Sequence, residues 1–173
     1  MALDEFKLVP IPADGDSAVV AGPETRCRDE EGTIFCEWVA GMLDSPRIPK
    51  SQMFTSLGDG GGYATFVFSK GADGVNRLRR IEVRSNMDYL DGMLPPMTQK
   101  FGEPTVSTRE VQNAYGATFE SSTYLWRNEE STIELTTRCE RVTLICLTYS
   151  HTELESLEAE RERTRKGDPT TRL

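Results

Sequence analysis

Apolar and polar side chains alternate through most of the second half of the chain. Four such segments follow one another with only short polar turns between them, as is typical of half-buried antiparallel strands. Their bounds are 105–113, 117–128, 131–138 and 142–150. The last segment is apolar on both faces, with Leu144 and Cys146 on one and Ile145 and Leu147 on the other. The pattern predicts a four-strand meander whose last strand lies centrally or is covered on both sides.

The first half of the chain contains two hairpin signals. The segments 63–70 and 75–85 are rich in aromatic and β-branched residues and flank Asp73-Gly74, a pair that favours a tight turn. A second hairpin is predicted over 26–38. These N-terminal hairpins are expected to join the meander in one antiparallel sheet.

The remaining N-terminal segments carry loop chemistry. Residues 1–25 are Pro-rich and irregular, with one short strand predicted at 17–21, and residues 39–62 are expected to form loops. The glycine-rich "GDGGGY" at 58–63 superficially suggests a phosphate loop. Such a loop follows a strand and opens a helix, whereas here Tyr63 begins a strand, so we interpret the segment as a flexible turn.

Between the hairpins and the meander the hydrophobic period changes to that of a helix. Apolar residues recur at spacings of four, three and four and so share one face over 87–101. They are Leu90, Leu94, Met97 and Phe101. Ser85 or Asn86 can cap the helix at its start. Pro95 and Pro96 conflict with the pattern, and we expect them to kink the helix or to split it in two.

The end of the chain is predicted to be a polar helix. Acidic residues come early and basic residues late, at three- and four-residue spacings that allow ion pairs along one helix. Only Leu154 and Leu157 offer apolar contact, so a solvated terminal helix is expected, with a partner-docking helix as the alternative. The predicted organisation is one α+β domain over 1–150, an antiparallel sheet packed by one main helix, followed by a polar helical tail over 151–173.

The stretch "CRDEEGTIFC" predicts a disulfide. If Glu31-Gly32 are the central residues of a tight hairpin, counting outward places Cys27 opposite Cys36 on a non-hydrogen-bonded pair. Cα atoms in such pairs lie about 4.5 Å apart, within the range of about 4.4–6.8 Å that disulfides occupy. Two unpaired thiols or a metal site are the alternatives, although zinc ligands usually lie closer together in sequence.

Cys139 and Cys146 are not expected to bond to each other. With a turn at Glu140-Arg141, an extended chain separates them by about 23 Å. Cys146 would then be a buried thiol and Cys139 free, unless one of them reaches elsewhere; a different turn register would bring them closer. An even count of four cysteines fits an oxidising compartment.

Charge and composition exclude several classes of partner. The net charge is −8 and the isoelectric point is about 4.8, which argues against nucleic acid and anionic membranes, because both require clustered Lys and Arg. No apolar run approaches the roughly 20 residues of a membrane span. The first residues lack the pattern of a signal peptide, so an exported protein would appear here in mature or trimmed form.

No catalytic or cofactor-binding constellation stands out. The single histidine, His151, lies at the junction of the last strand and the tail helix, where we expect it to cap that helix, with Thr152 as the other candidate. One histidine does not make a three-ligand zinc site, and the Asp-Gly segments lack the ligand pattern of a calcium loop. We predict a protein without cofactor or metal and without enzymatic activity, although acids are numerous enough to leave a two-carboxylate hydrolase open.

Part of the chain resembles a known class of protein. Over residues 66–126, "FVFSKGADGVNRLRRIEVRSNMDYLDGMLPPMTQKFGEP" followed by "YLW" resembles small exported proteobacterial proteins of uncharacterised function. Those proteins share a strand hairpin, a helix that ends in Lys-Phe/Tyr-Gly-x-Pro, and a meander that contains a Trp. The resemblance implies a periplasmic or envelope location and assigns no functional residue.

Three functions fit these observations. The first is a non-enzymatic exported domain, periplasmic or secreted, that binds a protein or a small ligand in the bacterial cell envelope. The second is a cytoplasmic acidic chaperone for secreted proteins. The third is an inhibitor of a hydrolase that uses the stapled hairpin tip, in which case Asp29, Glu30 and Glu31 would contact the partner.

Overall fold

The alternating segments of the sequence form the strands of one antiparallel sheet. In the computed structural model, the backbone is described for residues 1–3, 24–39, 54–57 and 60–166. The strands are β1 Glu24–Glu30, β2 Thr33–Val39, β3 Phe54–Leu57, β4 Gly60–Lys70, β5 Asn76–Asn86, β6 Thr105–Gln112, β7 Thr118–Arg127, β8 Ser131–Thr137 and β9 Leu144–His151. The helices are α1 Leu90–Phe101, preceded by a 3₁₀ turn at Met87–Tyr89, and α2 Thr152–Lys166. The predicted α+β class is confirmed.

The sheet joins the two halves of the chain through its centre. The strand order is β1-β2-β4-β5-β9-β8-β7-β6, and β3 pairs with β4 outside this path. The predicted meander is confirmed as β6 to β9. Strand β9 lies between β5 and β8, so the expectation that the strand apolar on both faces lies centrally is confirmed.

Both predicted hairpins are present. Strands β1 and β2 turn at Glu31 and Gly32, which both have positive φ angles of 54° and 87°. Two positive φ angles characterise the tight turn that matches the twist of paired strands. Strands β4 and β5 pair antiparallel, with a register shift between Val67 and Phe68.

The glycine-rich segment differs from the loop that composition suggested. Residues 60–62 belong to strand β4, where Gly60, Gly61 and Gly62 pair with β3. Sheet pairing uses backbone groups, so a segment without side chains can form a ladder if neighbouring strands present theirs. The prediction of loops over 39–62 is therefore wrong for β3 and for the start of β4. The strand predicted at 17–21 lies outside the described residues.

Helix α1 packs one face of the sheet over β7, β8 and β9. Its buried residue Met93 packs with the apolar residues of those strands, chiefly Trp126, Leu135 and Ile145. Asn86 caps the 3₁₀ turn, accepting a hydrogen bond from the Asp88 N–H. The expectation that Pro95 and Pro96 split the helix is wrong, because the helix runs from Leu90 to Phe101 through both prolines.

Tolerance of the two prolines follows from their position on α1. Both are exposed on the helix surface, so their rings do not displace core side chains. Each removes one backbone donor, and the carbonyls that lose a partner lie four residues earlier, at Asp91 and Gly92. The one interruption of the helical segment lies instead at Tyr89, where the 3₁₀ turn passes into the α-helix.

Helix α2 packs against the central strands of the sheet. It contacts β4 and β9, and its residues Leu154 and Glu158 are 5% and 4% exposed. Arg161 donates hydrogen bonds to the carbonyls of Lys70 and Gly71, beside the turn between β4 and β5. The tail is helical, as expected, but its inner side is bound to the sheet rather than solvated.

Candidate functional site

The hairpin tip formed by β1 and β2 is closed by a disulfide. Cys27 and Cys36 are directly paired across the two strands, with their Cα atoms 4.1 Å apart. The predicted register and bond are confirmed. Cys36 is fully buried beside Leu3, Phe66 and Phe68, so the disulfide fastens an exposed hairpin tip to the hydrophobic core.

The three acidic residues of this tip are exposed but engaged within the chain. Asp29 Oδ1 accepts the N–H of Gly32 at 2.9 Å and so braces the turn. Glu30 pairs with Arg28 at 2.7 Å, and this contact holds the pKa of Arg28 above its usual range. Glu31 pairs with Arg165 of α2 at 3.3 Å. The structure therefore brings these acids together at the tip and gives each an intrachain partner.

The second pair of cysteines is also bonded, which corrects the prediction that they are too far apart. Cys139 and Cys146 form a disulfide with Cα atoms 5.9 Å apart. The prediction was wrong because it placed the turn at Glu140-Arg141, whereas β8 ends at Thr137 and β9 begins at Leu144. The long turn, which includes Arg138 at a φ of 52°, folds Cys139 back towards β9.

A cleft of about 440 Å³ opens where the turn between β4 and β5 meets the start of α2. It is lined by Met1, Gly71, Ala72, Asp73, Arg77, Leu78, His151, Glu153 and Leu154. Asp73 pairs with Arg77 and accepts the N–H of Val75 at 3.1 Å. These contacts, led by Arg77, hold the pKa of Asp73 below its ordinary value. Two of the charged side chains that line the cleft, Asp73 and Arg77, thus neutralise each other.

His151 lies in this cleft and caps α2. Its Nδ1 accepts the backbone N–H of Leu154 at 3.5 Å, which confirms the cap predicted from the sequence. A neutral imidazole that accepts through Nδ1 carries its proton on Nε2. The histidine is therefore oriented by the helix, and its remaining nitrogen is a hydrogen-bond donor.

Two arginines of β5 bind the first turns of α2. Arg80 donates from Nε and Nη2 to the two carboxylate oxygens of Glu155, both at 2.8 Å. This bidentate pair is the main reason why the pKa of Arg80 lies above its usual range. Arg79 is 9% exposed, and its nearest ionic contact is Nη1 to Glu155 at 3.8 Å. Arg80 and Glu155 are 75 positions apart in the sequence, and no periodic pattern of residues predicts a contact over that separation.

Strand β6 is the last strand in the sheet order and is exposed along almost its whole length. Glu110 of β6 lies directly opposite Glu120 of β7, and both are exposed. Within the described part of the chain, neither carboxylate has an ion-pair partner. The sequence alone did not identify this acidic pair, because it depends on the register of the two strands.

The described residues form neither a cluster of metal ligands nor a membrane-spanning helix. Among residues 1–3, 24–39, 54–57 and 60–166, no group of three or more His, Cys, Asp or Glu side chains is arranged to hold a metal ion. No helix in that part of the chain has the length and apolar character of a membrane span.

Comparisons with known proteins returned no relative of this chain. Neither protein-family models, nor curated proteins, nor solved structures gave a match.

Proposed function

We propose that this chain is a non-enzymatic domain of the bacterial cell envelope that works in an oxidising compartment and binds a partner protein. The observation that carries the proposal is the pairing of all four cysteines in two disulfides. Disulfides persist in the periplasm and outside the cell, whereas the cytosol keeps thiols reduced. The resemblance of residues 66–126 to small exported proteobacterial proteins supports the same compartment.

The state of the polar groups favours binding over catalysis. A catalytic histidine or acid needs a free face towards a substrate and a pKa suited to proton transfer. The acceptor nitrogen of His151 is occupied by the N–H of Leu154 at the start of α2, and the carboxylate of Asp73 is occupied by Arg77 and by the N–H of Val75. Protein partners are favoured over small ligands because two carboxylates, Glu110 and Glu120, lie directly opposite each other on the exposed β6–β7 surface, where an extended protein segment can reach both.

Thiol counting tests the compartment. The native protein is isolated from a periplasmic fraction, denatured with iodoacetamide but without reductant, and weighed by mass spectrometry. We expect no alkylation, and four alkylated cysteines after reduction. A Cys27→Ser/Cys36→Ser variant should show no alkylated cysteine before reduction and two after it. This result would assign the remaining disulfide to Cys139 and Cys146. Four reactive thiols in native protein from the periplasm would overturn the proposal.

The size of the native protein tests the partner. A gently prepared periplasmic extract and the purified chain are compared by gel filtration with antibody detection. We expect a larger species in the extract, and its conversion to the size of the purified chain on dilution in high salt. The same elution volume in both samples contradicts partner binding while leaving the disulfide result intact.

A further inference from the structure

Among the strands that the structure describes, none covers the outer edge of β6. Strand β6 is last in the sheet order, and its only strand neighbour within the described part of the chain is β7. An edge strand presents a row of N–H and C=O groups that can pair with another chain. Natural edges are usually short, bulged, interrupted by proline or marked by charged side chains, of which β6 carries Arg109 and Glu110. Strand β6 has eight residues, a continuous register with β7 and no proline.

The register shows which backbone groups of β6 point outward. Asn113 donates its N–H to the carbonyl of Ala117 at 3.0 Å, so this pair closes the hairpin between β6 and β7. Hydrogen-bonded and non-hydrogen-bonded pairs alternate along antiparallel strands. Counting back from Asn113, the odd-numbered residues of β6 bond to β7 and the even-numbered residues point outward. The outward residues are Val106, Thr108, Glu110 and Gln112.

Strand β7 confirms this assignment from its other side. Asn128 donates to the carbonyl of Ser131 at 3.0 Å, which closes the hairpin with β8. Even-numbered residues of β7 therefore bond to β8. Ser122 agrees, since its N–H donates to Thr137 Oγ1 of β8 at 2.7 Å. The residue that it faces on β6, Thr108, thus has its backbone N–H and C=O directed away from the sheet.

Charge indicates what kind of strand fits this edge. Glu110 and Glu120 face each other on a non-hydrogen-bonded pair, where side chains of paired strands come closest. Like charges directly opposite each other destabilise a strand pair, and opposite charges stabilise it. A lysine or arginine on an added strand, placed opposite Glu110, would pair with Glu110 and reduce its repulsion from Glu120.

We propose that the outer edge of β6 is a docking site for an extended segment of a partner protein, which adds to the sheet as a further strand and places a lysine or arginine opposite Glu110. Main-chain hydrogen bonds supply the affinity in this mode of recognition, and alternate side chains supply the specificity. The inference deepens the proposed binding function and rests on it, and it assigns that function to one strand.

The alternative occupant, a second copy of this chain, is less well matched. A two-fold axis perpendicular to the sheet pairs outward residues of one β6 with those of its copy. If the axis passes through Glu110, the two copies of Glu110 oppose each other, and if it passes through Arg109, the two arginines do. Registers around Thr108 or Val111 avoid both, but they place Glu110 opposite Val106 or Gln112, so in neither does Glu110 gain a cation. The net charge of −8 on each copy also opposes association.

The probe for this edge is a pair of short, acetylated and amidated peptides of alternating Thr and Val, one with a central Lys and the other with a central Glu. Binding is measured by fluorescence anisotropy of the labelled peptide at low salt. We expect saturable binding of the Lys peptide, about three- to tenfold tighter than that of the Glu peptide. No saturable binding of the Lys peptide up to about 1 mM overturns the proposal.

Two matched variants separate the backbone contribution from the side chain. Thr108→Pro removes the outward N–H, and proline is tolerated on edge strands where the N–H faces solvent. Thr108→Ala removes the same side chain but keeps the donor. We expect at least tenfold weaker binding with Thr108→Pro and little change with Thr108→Ala. Glu110→Gln should bring the affinities of the Lys and Glu peptides to within about twofold of each other.

Backbone hydrogen exchange keeps the test independent of whether Thr108→Pro folds. In the wild-type protein, the Lys peptide should slow exchange at Val106, Thr108, Glu110 and Gln112, while the odd-numbered amides of β6 stay protected throughout. Protection elsewhere with none on β6 would place the peptide at another site and overturn the proposal. So would a dimer that Thr108→Pro converts to monomer, because a second copy would then occupy the edge. Both results leave the disulfide evidence for the compartment unaffected.

Discussion

Helix α1 meets the sheet through apolar side chains, whereas helix α2 buries one apolar residue, Leu154, and otherwise meets the sheet through charged side chains that bind carboxylates, arginines and backbone carbonyls. The buried side of α1 presents Met93 to a core of Trp126, Leu135 and Ile145. The buried side of α2 presents Leu154 together with the carboxylate of Glu158, which pairs with Arg161 and Arg165 of the same helix. Both helices are fixed in place, but the forces that hold them respond differently to solvent.

That difference separates the stability of the two helices. Burial of apolar surface depends weakly on ionic strength, while interactions between partly exposed charges are screened by salt. We therefore expect added salt to loosen α2 without loosening α1. Local unfolding of α2 costs less free energy than that of α1, because the charged side chains of α2 regain their hydration when its ion pairs open. The backbone amide hydrogens of α2 should therefore exchange with solvent faster than those of α1.

Truncation of Trp126 should produce the largest loss of stability. Trp126 is 6% exposed and lies within the core beneath α1, and its Nε1 donates to the carbonyl of Gly102 at 2.7 Å. Trp126→Ala should lower the free energy of unfolding by about 3–5 kcal/mol. Trp126→Phe keeps most of the apolar contact and should fall between this variant and the wild type. Urea unfolding followed by circular dichroism gives the values, and a loss below about 1 kcal/mol would show that α1 is not held by this core.

Neutralisation of Glu158 should have the next largest effect. Its side chain is 5% exposed and lies 2.9 Å from Arg165 and 3.3 Å from Arg161. Because both arginines are more than a third exposed, Glu158→Gln should lower the free energy of unfolding by only about 1–2 kcal/mol. Hydrogen exchange should accelerate along α2 and not along α1. Glu160→Gln is the control on the same helix, an exposed position where we expect a change within about 0.5 kcal/mol, and equal effects at the two positions would contradict this account of α2.

The pair formed by Arg80 and Glu155 tests the salt dependence directly. A double-mutant cycle with Arg80→Gln and Glu155→Gln isolates their interaction, which we expect to be about 1 kcal/mol at low salt. It should shrink when the ionic strength rises to about 1 M, where the screening length is about 3 Å. The change in stability caused by Trp126→Phe should stay constant over the same range. A coupling energy that does not change with salt would mean that packing, and not charge, fixes the start of α2.

The sequence predicted those features that depend on neighbours along the chain. The Cys27–Cys36 pair followed from counting across one tight hairpin, and α1 followed from the spacing of its apolar residues. Cys139 and Cys146 were predicted wrongly because the turn between β8 and β9 is longer than the hairpin assumed, with Arg138 at a positive φ.

Features that depend on distant residues left no pattern in the sequence. Glu155 accepts a hydrogen bond from Arg80, 75 positions away in the sequence, and Arg161 donates one to the carbonyl of Lys70, 91 positions away. The acidic pair of Glu110 and Glu120 likewise depends on the register of β6 against β7. The periodicity of apolar residues predicts the helices and strands and their apolar faces. The ionic contacts that fix α2 and the acidic pair at the β6 edge depend on which strands are neighbours and in which register, and this requires the three-dimensional structure.

The smallest expected effect concerns the turn on which α2 rests, and it depends on pH. Asp73 accepts the N–H of Val75 and pairs with Arg77, and the folded state therefore holds the pKa of Asp73 below its value in the unfolded chain. Because the folded pKa is the lower one, the carboxylate contributes its full stabilisation above the unfolded pKa of about 3.9 and loses it as the pH falls through the folded pKa. Asp73→Asn should therefore melt slightly below the wild type at pH 7, and the difference should disappear under strongly acidic conditions. A gap in melting temperature that persists unchanged into acid would show that the asparagine disturbs the turn by its shape, and that the charge of Asp73 does not support the carbonyls that Arg161 of α2 binds.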